Sequence, residues 1–468
     1  MSFSILLILL AAALLLRLLM SLGHRREWML AASVLAVFWL QPELGIRNLD
    51  FWFPIASLFL VILCWLFVTP QETRKEPQNL WTLLAMAGLC LALAGSKALG
   101  WQGIITASVP PSILTVLIGL SGLGAIYVIL VHLLRRIKLP ISLLVILLLI
   151  LFIFLKEPFL STQWSGWLRS LNHQNPALAA PNELSWLGYS YIAFRLLHTL
   201  RDKQTGHLPA LPLRDYLLYV IFFPTLQAGP IDRIQRFQSD LSDQLALNSE
   251  DFQIAGQRLA MGLLKKFVLA NSLAVIALSE TSVHQIHGLG WMGLSLYAYS
   301  FMIYFDFSGY TDIAIGLARL LGVKTPENFS HPYRQENLTL FWNNWHITLT
   351  QWFRAYFFNP LTRGLRRKAK SLPVWLALLI PQLLTMTLIG LWHGITWNFA
   401  LWGIWHGLGL FVQNRWSAWV QPRIKNPVPG LKWLNVFLTF NFVSLGWIFF
   451  LTQNLSSAFQ VFSVLAGR

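Results

Sequence analysis

Long apolar runs recur along the whole chain and dominate its pattern of hydrophobic and polar positions. A helix needs about 20 mostly apolar residues to cross a bilayer, so each run is a candidate membrane helix. The runs 29–40 and 217–226 are short and are expected to be buried or re-entrant. The pattern predicts an all-α polytopic integral membrane protein with roughly 10 to 13 transmembrane or re-entrant helices. The candidate runs are residues 5–20, 29–40, 51–68, 81–99, 113–134, 141–155, 184–200, 217–226, 259–278, 291–305, 374–392, 395–411 and 433–451.

Composition supports a bilayer as the solvent of this protein. The chain is 56% hydrophobic and 12% charged, whereas a soluble domain carries about 25% charged residues. Its cysteines, Cys64 and Cys90, lie inside apolar runs, where a thiol behaves as a small hydrophobe, and they form no metal-binding pattern. The net charge of +16 would suggest nucleic acid in a soluble protein. Basic loops facing anionic lipid explain it better, so we expect the bilayer as partner and no nucleic acid.

The basic loops predict an orientation. Basic residues follow alternate apolar runs, at 24–26, 74–75, 135–138 and 201–203, and the largest cluster is 363–370. Lys and Arg concentrate in cytoplasmic loops, so this alternation predicts an N-terminus outside a cell membrane that the chain crosses many times. The first run lacks a small-residue cleavage site and is expected to remain as an uncleaved helix.

Polar residues are unevenly distributed between the two ends of the chain. Residues 1–155 are nearly featureless apolar helices of unassigned role, and polar side chains concentrate within 184–451. A polar side chain in apolar surroundings is costly and is therefore a functional candidate. We expect the chemistry to lie in the second region.

The first candidate is His393, which stands between Gly390 and Gly394 at an expected helix break. A neutral imidazole at this place could act as a general base near pH 7, although a histidine that is only hydrogen-bonded inside a bundle would look the same. His406 would lie about 20 Å away on a continuous helix. It is interpreted as a packing residue that shares no metal with His393.

The second candidate segment surrounds His346. Asn343, His346 and Thr350 have helical spacing and are expected to share one face, flanked by tryptophans including Trp345. This pattern is typical of an interfacial amphipathic helix, and equally of a polar wall of a reaction chamber.

Weaker signals lie elsewhere in the second region. Asp306, near Ser308, follows an apolar run and must be paired, neutral or facing water. The prolines at 224 and 230 predict irregular backbone, which must be buried or line water. The pair His198 and Asp202 has a spacing used by some soluble acyltransferases but is interpreted as a charge cluster at the membrane edge.

In this order, the segments 222–231, 304–319, 326–333, 341–353 and 390–407 resemble the membrane-bound O-acyltransferase (MBOAT) family. The bacterial alginate O-acetyltransferases and the D-alanyl transferases of teichoic acids are the most similar branch. The resemblance implies that His393 is the catalytic residue and that His346 is the second active-site residue. Asn343 and Asn344 replace two basic residues of the family, and 358–364 also departs from its pattern.

The resemblance further implies a reaction. An acyl group, expected to be acetyl, would pass through a central tunnel from a cytoplasmic thioester donor to a hydroxyl of an exported envelope polysaccharide such as alginate. His393 would take the hydroxyl proton while His346 and Asn343 hold the thioester carbonyl, and water would be excluded by tryptophans. The expected supporting residues are Asn343, Trp345, Trp392, Asp306 and Ser308, and the expected donor entrance is Arg366, Arg367 and Lys368.

The expected donor is acetyl-CoA or a carrier-protein thioester, and we expect no tightly bound cofactor and no metal. The expected partner is a periplasmic or extracellular hydrolase-like acetyltransferase. Two other functions stay open. The chain could be a transporter or flippase for a lipid or polysaccharide precursor, or a non-catalytic membrane subunit of a polysaccharide synthase.

Overall fold

The computed structural model describes residues 2–21, 23–101, 105–137, 139–242, 249–368, 372–420, 423 and 430–468. Within these ranges the regular secondary structure is entirely helical, which confirms the predicted all-α class. Two cations of the predicted basic loops, Lys138 and Lys370, lie outside the described residues.

The chain divides into two compact units, Met1–Ala255 with Leu317–Thr325 and Gly256–Gly316 with Pro326–Arg468. The division predicted at residues 155 to 184 stays a prediction. Helices up to residue 242 are α1 Phe3–Ser21, α2 Arg25–Trp39, α3 Leu49–Val68, α4 Gln71–Arg74, α5 Pro77–Gly95, α6 Ile113–Arg136, α7 Ser142–Lys156, α8 Pro158–Leu171, α9 Tyr189–Gln204, α10 Leu213–Ile221 and α11 Ile234–Ser242.

The later helices include two wide turns of π type, Leu264–Ala270 and Arg354–Phe358. The α-helices are α12 Ser249–Leu263, α13 Asn271–Ala274, α14 Glu280–Val283, α15 Leu289–Leu320, α16 Leu338–Asn344, α17 Ile347–Phe353, α18 Asn359–Lys368, α19 Val374–His393, α20 Trp397–Val420, α21 Leu431–Leu451 and α22 Leu455–Leu465.

Six described helices, α1, α3, α5, α6, α19 and α21, are long and apolar enough to cross a membrane. The pair α7 and α8, bent by 90°, would make a seventh span if it were counted as one. This confirms a polytopic membrane protein; the predicted 10 to 13 helices also include shorter and re-entrant ones, so that number stays a prediction. Several runs form short helices, such as α2 with 15 residues and α10 with 9, and the long helices α15 and α20 carry polar side chains.

The segment 222–231 is irregular and buried, as its prolines predicted. After α10 it forms one 3₁₀ turn, Phe223–Thr225, and continues without a helix to residue 233. The fully buried Arg195 donates to the carbonyl oxygens of Tyr219, Val220 and Thr225 at 2.7–3.2 Å. This guanidinium therefore satisfies carbonyl groups that a continuous helix would have bonded itself.

The helix α15 has 32 residues and carries the predicted acidic segment within it rather than after it. Asp306 forms an ion pair with Lys266, which fits the expectation that it must be paired. Asp312 is buried and binds both Arg258 at 2.7 Å and Lys265 at 2.6 Å. Because buried carboxylates need such partners, these contacts attach α15 to α12 and to the π turn that follows it.

Candidate active site

His393 is the last residue of α19, and the backbone changes to an extended conformation at Gly394 before α20 begins. The expected break at this position is thus confirmed. The two helices approach each other at glycines. A Cβ atom on Gly390 would lie 2.1 Å from the Phe399 carbonyl oxygen, and one on Gly403 would lie 2.4 Å from that of Met386. Only glycine permits this approach, and it fixes where α19 presents His393.

Aromatic rings surround the half-buried imidazole of His393. The ring centroids of Trp392 and Phe450 lie 4.6 and 4.8 Å from it, and those of Trp402 and Phe399 lie 5.7 and 5.9 Å away. These rings make the environment poor in water, which strengthens any electrostatic interaction there.

His346 lies between α16 and α17, in the left-handed region at φ 42°. The preceding residue, Trp345, is extended. The expectation that Asn343, His346 and Thr350 share one helical face is therefore wrong. The helix breaks because backbone groups of this segment bond to an earlier one: the Ile347 amide donates to the Asn328 carbonyl at 2.9 Å.

The side chain of Asn328 determines the tautomer of His346. Its Oδ1 accepts from the backbone amide of Thr348 at 3.2 Å and lies 3.0 Å from His346 Nδ1. An atom that accepts from an amide must be the oxygen, and an oxygen of this kind cannot donate. His346 therefore carries its hydrogen on Nδ1 and a lone pair on Nε2.

His346 and His393 both pack near the ring of Trp392. The Trp392 ring lies 4.6 Å from His393 and 6.3 Å from His346, between centroids. His346 is also packed edge-on against Phe307, with 4.8 Å between ring centroids. Burial lowers the pKa of His346, and the charge that His393 can carry lowers it further. His346 is thus held neutral, and its imidazole can accept a proton or a hydrogen bond at Nε2.

The remaining predicted site residues differ in burial and in their contacts. Asn343 accepts from the Arg354 guanidinium at 2.6 Å, and Trp345 is buried with its ring centroid 5.1 Å from Trp447. Asp306 is exposed and paired with Lys266, as described above. Ser308 is 2% exposed, and its hydroxyl has no hydrogen-bond partner among the described residues. The predicted donor-entrance residues, Arg366, Arg367 and Lys368, are exposed in the last turn of α18.

A cavity of about 220 Å³ lies beside the His346 segment. Thr350 from α17 and Arg354 from the π turn after it line the cavity, together with Ile389 from the helix that ends at His393. Gln382, Thr385 and Asn414 add amide and hydroxyl groups. These few polar groups lie among mainly apolar side chains, such as Trp342, Phe353 and Met386, which is the usual lining of a small-molecule site.

The two histidines interpreted as structural are both buried. His406 is 0% exposed and packs against Trp402 at 4.9 Å and Trp342 at 5.2 Å, between centroids. His198 Nε2 lies 3.1 Å from Asp202 Oδ2, and both side chains are buried; their position at a membrane edge stays a prediction. Among the described residues, no group of three or more His, Cys, Asp or Glu side chains could hold a metal ion.

The helices define a polytopic integral membrane protein. The chain belongs to the MBOAT, membrane-bound O-acyltransferase family, which matches residues 137–451. It is accordingly an acyltransferase of that family.

Three similar proteins show the range of this family. The chain is 33% identical over 290 residues to a teichoic acid D-alanyltransferase of Streptococcus thermophilus, covering 57% of this chain and 68% of that protein. It is 34% identical over 284 residues to the probable alginate O-acetylase AlgI of Pseudomonas aeruginosa, covering 60% and 51%. It is 36% identical over 265 residues to a peptidoglycan O-acetyltransferase of Helicobacter pylori, covering 54% and 46%. The chain thus spans about half the length of these two acetyl-transferring relatives.

Asn328 and Phe307 contact His346 but were not singled out from the sequence. Both lie inside segments that carried the family resemblance, 326–333 and 304–319. Their contacts join residues far apart in the chain, so helical periodicity could not have revealed them.

Proposed function

We propose that this chain transfers an acetyl group from a cytoplasmic thioester, acetyl-CoA or a carrier-protein thioester, to a hydroxyl of an exported envelope polysaccharide such as alginate. The proposal places it in the cell membrane with its N-terminus outside. The observation that carries it is the convergence of His346 and His393 on the ring of Trp392. Two imidazoles in a water-poor aromatic setting suit acyl transfer, because water would hydrolyse the thioester.

In the proposed reaction, His393 takes the proton of the acceptor hydroxyl. The hydroxyl oxygen then bonds to the thioester carbonyl carbon, the carbon–sulfur bond breaks, and His393 returns the proton to the leaving sulfur. The products are an ester and a thiol, and the histidine is restored.

The tautomer of His346 refines its proposed role. A neutral imidazole with its lone pair on Nε2 accepts hydrogen bonds and cannot donate one to a carbonyl from that atom. We therefore assign His346 Nε2 to accept a hydrogen bond from a neighbouring hydroxyl of the acceptor, because the reacting hydroxyl gives its one hydrogen to His393. The carbonyl would be polarised by the Asn343 amide, whose oxygen is already bound to Arg354. Trp345 and Trp392 would exclude water, and Asp306 and Ser308 would support the helix that carries Phe307.

The test is thioester turnover by the purified protein with labelled acetyl-CoA and a polysaccharide acceptor. His393→Ala is expected to lose about 10²- to 10⁴-fold in kcat, as removal of a general base does. His346→Asn removes the imidazole while Asn tolerates positive φ, and it is also expected to lose activity. The exposed His287 provides the matched control, His287→Ala, which is expected to remain active.

All comparisons must be made at equal amounts of folded protein, because lost packing could imitate lost chemistry. Near-normal turnover by His393→Ala would contradict the assignment of His393 as the general base. A wild-type protein that moves a lipid or polysaccharide precursor but turns over no thioester would favour the transporter. A protein that does neither would favour the non-catalytic subunit of a synthase.

A second candidate reaction is transfer of D-alanine from a carrier protein. The match to D-alanyltransferases favours it, because it covers 68% of the Streptococcus thermophilus protein and 74% of the Bacillus subtilis protein. Offering acetyl-CoA and a D-alanyl carrier-protein thioester to the same preparation separates the two reactions. The hydrolase-like acetyltransferase proposed as a partner belongs to the first reaction only.

The proposed donor entrance is the exposed basic end of α18. Coenzyme A and phosphopantetheine carry phosphate, so positive charge there should aid their capture. Replacing Arg366, Arg367 and Lys368 with glutamine is expected to raise the donor KM at low salt with little change in kcat. The control replaces three exposed cations elsewhere, Arg47, Lys97 and Arg201, with glutamine. An unchanged KM in the first variant, or an equal rise in both, contradicts this entrance.

A further inference from the structure

A second cavity, of about 230 Å³, lies between α4 and α6, outside the residues matched by the family. One wall comes from the short helix α4 and its C-cap, and the other comes from the last turns of α6. The cavity is lined by Gln71, Arg74, Lys75, Tyr127, Val128, Val131, His132 and Arg135.

The lining of this cavity is cationic. Arg74, Lys75 and Arg135 contribute positive charge, His132 can add more, and no described lining residue carries a carboxylate. The nearby acidic residues Glu72 and Glu76 are fewer than the three cations, which leaves a net positive charge. Arg74 is partly buried, and its Nε donates to the Thr69 carbonyl at 2.7 Å, so its guanidinium is fixed at the cavity wall.

The apolar surface of α6 begins at the same place. Of the 24 residues in this helix only Val116 is buried, and side chains such as Val128 and Ile129 are 64% and 63% exposed. An apolar helix so little covered by its own chain must be covered by lipid tails or another protein. At the cavity, therefore, a cationic pocket opens onto a surface suited to acyl chains.

We propose that this cavity binds the head group of an anionic phospholipid. The phosphodiester would contact Arg74, Lys75 and Arg135, the Tyr127 hydroxyl and Gln71 amide would bond its glycerol oxygens, and the tails would lie along α6. Basic pockets between membrane helices on the cytoplasmic side recognise such head groups, and a charged site of this size suits a head group better than a protein segment does. The proposal is independent of the acyl-transfer reaction.

The experiment measures lipid binding by the full chain in nanodiscs or detergent. The probes are phosphatidylglycerol, phosphatidylcholine and inorganic phosphate, with bound lipid counted by native mass spectrometry. The test variant is Lys75→Gln with Arg135→Gln, which spares Arg74 and its bond to Thr69. The matched control, Arg201→Gln with Lys203→Gln, removes the same charge from the last turn of α9, which is predicted to lie on the same side.

The wild type and the control are expected to retain phosphatidylglycerol in preference to phosphatidylcholine. The test variant is expected to bind it roughly 20- to 30-fold more weakly, since each cation near a membrane contributes about 1 kcal/mol to anionic lipid binding. Equal retention of both lipids by the wild type overturns the proposal, and so does an equal loss in both variants. Displacement of the lipid by millimolar phosphate would assign the cavity to free phosphate instead. A third outcome is that the wild type forms a dimer in the absence of lipid and that the test variant does not. This outcome would assign the surface to a second copy of the chain.

Discussion

The Nδ1 hydrogen of His346 is committed to Asn328 Oδ1, 3.0 Å away, and the Thr348 amide identifies that atom as oxygen. Asn328 is itself 0% exposed, so water does not compete for this bond. A histidine whose function depends on Nε2 needs its other nitrogen fixed in this way. Asn328 is therefore a positioning residue that acts through His346.

Replacing Asn328 tests this role through the pH profile. Asn328→Ala removes the acceptor, leaves the tautomer unspecified, and is expected to lower kcat about 10-fold or more, as loss of outer partners does at other functional histidines. Asn328→Asp keeps an acceptor but adds negative charge, which raises the pKa of His346. Since only neutral His346 accepts at Nε2, the acidic limb of kcat/KM should move to higher pH.

Thr348→Val is the matched control for this prediction. It removes the hydroxyl that donates to the same Oδ1 at 2.9 Å but leaves the bond between Asn328 and His346 intact. Its pH profile should match that of the wild type. An acidic limb that does not move in Asn328→Asp would show that His346 need not be neutral for the reaction.

The hairpin of α19 and α20 is the element that positions His393. A Cβ atom at Gly403 would lie 2.4 and 2.5 Å from Met386 O and Thr387 Cα, so Gly403→Ala must push the two helices apart. Such overpacking costs about 1–3 kcal/mol. We expect a lower Tm for Gly403→Ala and a lower kcat per folded molecule, measured by thermal unfolding and turnover.

Gly293→Ala is the comparison for this element. Gly293 lies inside α15, where an added Cβ atom would meet no other atom within 4 Å, and alanine favours a helix over glycine by up to about 1 kcal/mol. Its Tm should equal or exceed that of the wild type. If Gly403→Ala unfolds at the wild-type temperature with full activity, the close approach of α19 and α20 does not position His393.

The two helix breaks differ in how far the sequence predicts them. The break after His393 is predicted by neighbouring residues, because Gly390 and Gly394 flank the histidine in an otherwise apolar run. The break at His346 carries no such local signal, and its periodic polar residues suggested one continuous helix. What interrupts that helix is a set of hydrogen bonds to Asn328, which lies 18 positions earlier. Such a contact depends on the fold of the unit and cannot be obtained from spacing along one helix.

At the scale of the whole molecule, the apolar pattern predicted the class correctly, whereas the number of membrane helices stays a prediction. Runs such as 217–226 are apolar because they are buried: α10 ends at Ile221, and the following loop is held by Arg195. Hydrophobicity alone does not distinguish burial in protein from exposure to lipid. In contrast, α6 is almost wholly exposed, as a helix surrounded by lipid should be.

The topology follows from the basic loops and is a prediction for the whole chain. We expect the N-terminus outside and the basic end of α18 in the cytoplasm, because Lys and Arg are retained on the cytoplasmic side. Ser2 and Arg367 are exposed, and Cys64 and Cys90 are both buried, so background labelling should be low. With a membrane-impermeant maleimide on intact cells, Ser2→Cys should react at once. Arg367→Cys should react only after the cells are permeabilised. Equal labelling of the two cysteine variants before permeabilisation would contradict the orientation and therefore donor entry at α18.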